Sequence, residues 1–356
     1  MSIQLLEHPN EPQPVADSTT VDGDYVRELL QGAIEKGYNI NNLMIKSGIS
    51  PGLLDNPGVR VSFRQLADLS INLLDLMNDE FFGLVDKPQR RGSFKLMCHA
   101  CISADTIGEA MQLFAEFGNL MENTWYHSVS TEPGTVVYQL LPRKGVRLRH
   151  RIAIDYLYST LYRTLCWMAN RQLPLLRVDL TVRAPKFPER YRFMFYDAPL
   201  SFGKSQSGLF FPEEVLNTEN VRNKKDLEFF IKRTPLTLLT QTVPANNISS
   251  QVRVFIERQL RREKKLPSIK LVSERMGLHP QTFRRRLQLE NTSYSELKAN
   301  TRRDMAISLM AESDDNIAAI SDALDFSEPS AFIRAFKKWT GVTPNTYRQN
   351  IGLVSP

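Results

Sequence analysis

Long apolar runs are missing from this chain of 356 residues. Nowhere do about 18 apolar residues follow one another, so no membrane span is expected. Cysteine is scarce: three in a chain this long is an odd count, and it points to a reducing cytoplasm over a disulfide framework. Residues 1–20 lack the basic start and apolar block of a signal peptide. With Pro9, Pro12, Pro14 and little apolar periodicity, they read as a disordered tail. No Gly-rich phosphate loop, metal-ligand helix or Ser-nucleophile motif occurs. Neither enzyme activity nor a metal or other cofactor is therefore expected.

What is present is ordinary in amount and uneven in placement. Hydrophobic residues make up 42%, enough for a sizeable core, and the length suggests two domains. Residues 246–356 hold 18 basic and 12 acidic side chains, net +6, whereas residues 1–245 hold 27 of each. A neutral front and a basic back imply that the back meets an anion. A membrane surface is the competing anion, but no strongly apolar helix face accompanies the charge.

The front opens with helical spacing. Tyr25, Leu29, Leu30 and Ile34 mark one helix, ending near Gly37. Ser62 precedes a second, and Thr106 caps a third that carries Ile107, Ala110, Met111, Phe114 and Phe117 on one face. The period then changes. Residues 135–140 and 176–182 read as strands around a long helix from Arg151 to Arg171, and Phe193 with Phe195 as a further short strand. This is an α+β domain, helices first and a small sheet later.

Three features of the front invite chemistry. Cys98-His99-Ala100-Cys101 has the spacing of half a zinc site or a redox pair, yet no second paired motif completes it. Arg147, Arg149 and Arg151 would share one face of an extended segment and suit a carboxylate effector; a solvated basic face is the blander account. Aromatics including Tyr156 and Trp167 would either line an effector pocket or fill the core.

Pro235, Pro244 and Asn246-Asn247 separate two helical patterns, so residues 235–248 read as a linker. Ser249 or Ser250 is expected to cap the helix that follows. Beyond it lies an internal repeat. Ile269, Val272, Ser273, Met276 and Leu278 recur as Ile317, Ile320, Ser321, Leu324 and Phe326, offset by 48. Phe283, Arg285 and Leu287 recur as Phe332, Arg334 and Phe336, offset by 49, so the second copy has one extra residue in its turn. Each copy reads as two helices around a tight turn, the helix-turn-helix shape. A helix led by Ser293-Tyr294 joins them.

The run Phe326-Ser327, Ser330-Ala331-Phe332, Arg334-Ala335-Phe336-Lys337, Trp339-Thr340-Gly341, Pro344 and Tyr347-Arg348 resembles the C-terminal signature of the AraC/XylS family of bacterial transcription regulators. Asp325 departs from it, standing where the family usually has glycine, and costs more than Gly in a left-handed turn. The front resembles, more weakly, the arabinose-binding-like effector domain of one branch of that family. Its carriers are residues 48–54, the helix 106–117, and Pro199-Leu200-Ser201-Phe202 ahead of Phe210 and Pro212.

The resemblance implies a tail (1–20), an effector-binding or dimerisation domain (21–234), a linker (235–248) and an all-α domain (249–350) of two helix-turn-helix units joined by a linker helix. Each second helix would enter one of two successive major grooves, about 34 Å apart. Gln281, Thr282, Arg284 and Arg285 would face the bases, Gln suiting adenine and Arg suiting guanine, with Arg286 a phosphate contact or solvated. Pro329, Ser330, Ile333, Arg334 and Lys337 face outwards in the second unit. Residues 246–291 carry net +7 and residues 292–356 net −1, so the first unit is expected to supply most of the affinity. The expected protein is a cytoplasmic, sequence-specific activator that binds promoter DNA under control of a small-molecule effector. RNA polymerase and a second copy of the chain are further expected partners, a membrane is not. The alternatives are a front domain that only dimerises or binds protein, and a Cys98/Cys101 metal or redox sensor.

Overall fold

The computed structural model describes residues 20–49, 51–52, 60–121, 124–145, 150–184, 190–196, 198–240, 248–290 and 292–352. Two hydrophobic cores organise it, one drawing on residues between Val21 and Leu238, the other on residues between Val252 and Tyr347. The tail read for residues 1–20 lies outside the described residues except for Thr20, which begins a strand.

In the front half, β1 (Thr20–Asp22) pairs antiparallel with β2 (Arg60–Ser62). Each strand runs directly into a helix that its last residue caps. Asp22 accepts from Tyr25 N–H to start α1 (Gly23–Glu35). After α2 (Ile40–Lys46), Ser62 and Gln65 form a reciprocal capping box on α3 (Phe63–Met77). Then come α4 (Ser93–Cys101) and α5 (Ile107–Leu120), the latter capped by Thr106 as its sequence implies.

A five-stranded sheet follows. β3 (Trp125–Glu132) and β4 (Thr135–Pro142) form a hairpin closed by Pro133-Gly134, with Gly134 at φ +73°. After α6 (Ile152–Met168) come β5 (Arg177–Leu180), α7 (Arg190–Phe195), β6 (Leu200–Phe202) and β7 (Ser207–Pro212). The order is β3-β4-β7-β5-β6, with only β5–β6 parallel. The short strand read at Phe193 and Phe195 is instead α7. Tyr191, Met194 and Phe195 are buried at i, i+3 and i+4, and that helical spacing overrides the strand preference of aromatics. β7 is central and buried along most of its length, so it shows no alternation to read from sequence.

α6 is buried on nearly every face. Its tyrosines anchor the core through their hydroxyls. Tyr158 accepts from Leu140 N–H at 3.0 Å, and Tyr162 donates to Leu173 C=O at 2.7 Å. The half closes with α8 (Lys224–Arg233) and α9 (Leu236–Thr240). Part of the segment read as a linker is therefore helical; residues 241–247 lie outside the described residues.

The second half is helical throughout: α10 (Ile248–Glu263), α11 (Ile269–Arg275), α12 (Pro280–Leu289), α13 (Tyr294–Glu312), α14 (Ile317–Ala323), α15 (Pro329–Thr340) and α16 (Pro344–Gly352). Neither Ser249 nor Ser250 caps α10, which begins one residue earlier. The Glu290 carboxylate, beyond α12, accepts from Ile248 N–H and Ser249 N–H at 2.9 and 2.8 Å. A negative charge on orphan N–H groups at the positive end of a helix dipole outcompetes a local hydroxyl.

The halves meet through polar contacts. On α13 the buried Asp304 carboxylate accepts from Thr20 Oγ1 at 2.6 Å and from Arg303 Nε at 2.9 Å. Arg60 Nε donates to the same Thr20 hydroxyl at 2.6 Å and lies 3.7 Å from Asp304 Oδ1. Tyr347 on α16 reaches Gln65 of α3 at 3.4 Å.

Candidate nucleic-acid interface

The sequence repeat becomes a structural repeat. Ser268 caps α11 and Asn316 caps α14, each accepting a backbone N–H three residues on. Pro280 and Pro329 occupy the first positions of α12 and α15, where a missing N–H costs nothing. The turn residues also correspond: Gly277 has φ +66° and Asp325 φ +57°. Asp325 adopts the left-handed geometry and uses its side chain, whose carboxylate accepts from Leu266 N–H at 3.0 Å. Arg302 locks the same turn, donating to Leu324 C=O at 2.7 Å and lying 3.5 Å over the Phe326 ring.

α13 packs against α10, α14, α15 and α16 and holds the two units together. At 19 residues it is roughly 28 Å long, on the order of one DNA turn.

On α12, Phe283 and Leu287 are buried, while Gln281, Thr282, Arg284, Arg285 and Arg286 are exposed. Among the described residues, none of the three arginines makes an ion pair. α15 is built alike, with Phe332 and Phe336 inward and Pro329, Ser330, Arg334 and Lys337 exposed; Ile333 is half-buried. The charge of Arg334 is already engaged. Arg334 donates to Glu328 Oε1 at 3.4 Å, and Ser330 also bonds that carboxylate. The bonds from Ser330 and Arg334 hold the Glu328 carboxyl below its usual range. Sequence reasoning missed Glu328, an acid at the start of the second reading helix. It also missed Lys298, which lines with Arg284 a groove of about 420 Å³ between α11, α12 and the start of α13.

The front-half candidates do not come together. Arg147 and Arg149 lie outside the described residues. Trp167 stacks on Phe230 at 4.2 Å and carries Arg222 5.4 Å from its ring, as core packing. Tyr156 lines a small cavity among α4, α5 and α6. Cys98 and Cys101 sit one turn apart on the buried face of α4. Burial pushes the Cys98 thiol well up and the Cys101 thiol to about 12, so both rest as neutral thiols. Among the described residues no group of three or more His, Cys, Asp or Glu could hold a metal ion, and no helix is long and apolar enough to cross a membrane.

Comparison with known proteins agrees with this architecture. Residues 37–220 match the family described as the arabinose-binding domain of AraC transcription regulator, N-terminal, and residues 272–350 match a helix-turn-helix domain. The chain is 23% identical over 327 residues to the ornithine utilization regulator of Pseudomonas aeruginosa, covering 91% of this chain and 95% of that protein. It is 33% identical over 99 residues to the HTH-type transcriptional activator CfaD of Escherichia coli, covering 28% of this chain and about a third (36%) of CfaD. The solved structure of the transcriptional regulator CdpR from Pseudomonas aeruginosa aligns with 92% of this chain and 98% of its own at 21% identity, with a TM-score of 0.31. With one family matched over half the chain and a helix-turn-helix domain matched after it, the chain belongs to the AraC/XylS-type DNA-binding transcription regulators that carry an arabinose-binding-type N-terminal domain.

Proposed function

We propose that this regulator is an activator, that α12 leads its reading of DNA, and that a small-molecule effector in the front half controls it. The observation that carries the leading role of α12 is the exposed, unneutralised triad Arg284, Arg285 and Arg286 beside Gln281 and Thr282, set against an α15 whose Arg334 is paired with Glu328. Three cations aimed at phosphate and guanine give affinity and reading together. α15, with Pro329, Ser330, Ile333, Arg334 and Lys337, adjusts register. The domain limits follow: effector or dimerisation functions in 21–234, DNA contact in 249–350. Contact with RNA polymerase and association with a second copy complete the proposal.

The test measures Arg284→Ala and Arg334→Ala on a duplex selected from a random pool, at several salt concentrations. Arg284→Ala should cost about 1–3 kcal/mol and lower the salt slope by about 1. Arg334→Ala should cost less, because its charge is already shared with Glu328. Equal losses would refute the division of labour. The front-half cavities among the described residues are small, about 30–40 Å³ each; they admit a small head group, and for any larger effector they favour a second reading in which that half only dimerises or binds protein. DNA affinity indifferent to every small molecule tried would support it.

A further inference from the structure

We infer that the cavity beside Tyr156 is a binding site for the cationic head of a small amine. The assignment rests on the reading of the front half as an effector domain and gives that effector a chemical class. Five aromatic side chains line the cavity: Phe81, Phe94, Phe114, Phe117 and Tyr156. Phe81 and Tyr156 meet edge to face at 6.0 Å, giving the wall both ring edges and ring faces. Among the described residues no lysine or arginine reaches the lining. Glu80 does. Its carboxylate accepts from Gly92 N–H at 2.7 Å, Phe94 N–H at 2.8 Å and Gln89 Nε2 at 3.1 Å. The neighbouring Asp79 is fully buried and accepts from Phe81, Gly83 and Gln89 N–H groups. Neither carboxylate makes an ion pair among the described residues. Two adjacent carboxylates held by N–H donors, Asp79 buried and Glu80 half-buried, with no counter-charge among the described residues, leave a negative field beside the cavity. Ring faces beside such a field suit an ammonium group.

An independent observation comes from His127, which is 3% exposed and lines the same cavity. Its Nδ1 bonds the Tyr138 hydroxyl at 2.7 Å, while its Nε2 is buried with no hydrogen-bond partner. Gly118, also in the lining, makes room for the ring: a Cβ there would lie 2.6 Å from Nε2. Burial keeps the imidazole neutral, so it does not repel a cation, and in the tautomer that donates Nδ1–H to Tyr138 its Nε2 is free to accept an ammonium proton. Arg143, whose charge acts on His127, is absent from the lining and donates to Trp125 C=O and Asn119 C=O. The volume of about 40 Å³ fits a head group with a short stem.

The test is calorimetric titration of the full-length protein with n-butylammonium chloride, n-butanol, sodium butyrate and L-arabinose. Butylammonium should bind and the other three should not. Glu80→Gln should lower its affinity at least tenfold. Phe117→Trp, which fills the cavity and leaves the Glu80 hydrogen bonds in place, should abolish binding, with thermal melts reporting that each variant is folded. Equal binding of the alcohol, the carboxylate or the sugar, amine affinity unchanged in both variants, or no binding of the amine at millimolar concentration overturns the assignment. DNA affinity is read separately. Amine binding without a change in DNA affinity leaves the site standing and sinks the effector reading. A sugar or carboxylate that changes DNA affinity equally in wild type and Glu80→Gln keeps the effector reading and sinks the site.

Discussion

Replacing Asp304 by Asn should undock the two halves without unfolding either. Asp304 sits on α13, with its side chain only 10% exposed, and binds the first strand of the other half through Thr20 Oγ1 at 2.6 Å. Arg60, 8% exposed, completes the relay by donating to that hydroxyl, while its charge lies 3.7 Å from the carboxylate. Removing one partner of a buried ion pair costs about 3–5 kcal/mol. Here the direct charge separation is long and Arg60 keeps its bond to Thr20 C=O at 2.7 Å, so about 2–4 kcal/mol of docking is the better figure. At about 1.4 kcal/mol per tenfold, the undocked population rises by roughly 30- to 700-fold. Hydrogen exchange with peptide resolution reads this directly. Amides of Thr20–Asp22 and the α13 turn around Asp304 should exchange faster by that factor, while those in the β3–β4 hairpin stay unchanged. Thr20→Val, which removes one donor and leaves the charges, should show a smaller effect, about 1 kcal/mol. Unaltered exchange at both sites in Asp304→Asn would refute the reasoning.

Two further outcomes follow from single residues. Burial, helped by the charge of Arg143, holds His127 down at about 4 in the folded chain, below the ordinary value of 6.5. The unfolded chain therefore takes the proton first. Stability from this group is complete above about pH 6.5 and is lost as pH falls towards 4, by about 2 kcal/mol at pH 5. Denaturant melts of wild type and His127→Gln between pH 7 and pH 5 check it, since the variant should lack that share of the slope; parallel slopes would count against a buried neutral imidazole. At the second helix-turn-helix, Asp325→Gly should stay within about 0.5 kcal/mol of wild type, because relief at φ +57° offsets the lost bond to Leu266 N–H. Asp325→Ala loses the bond and keeps the strain, costing about 1–2 kcal/mol in a thermal melt. An alanine variant as stable as the glycine variant would show that the left-handed geometry is not strained.

The sequence by itself determined the C-terminal half almost completely. The internal repeat, the apolar spacing at i, i+3 and i+7 and the Ser293 start of α13 are local signals, each read within a few turns of helix, and the structure adds caps at Ser268 and Asn316 and first-position prolines 280 and 329. The local signals also placed the exposed faces of α12 and α15, because a buried Phe fixes where its neighbours point. The front half was legible where its signals were equally local: in α1 and α6, at Ser62 and Thr106, and in the strands at Thr135 and Arg177. β7 was not, since a central strand buried on both faces has no alternation, and α7 imitated a strand through its aromatics. Only the tertiary structure decided the rest. It put Glu290 on the start of α10, Glu328 on Arg334, Asp304 on a strand 284 residues away, and Glu80 and His127 around one cavity. Periodicity records that a residue is buried or exposed along its own element. It carries no record of which distant residue it meets, and polar contacts across elements are fixed by that meeting alone.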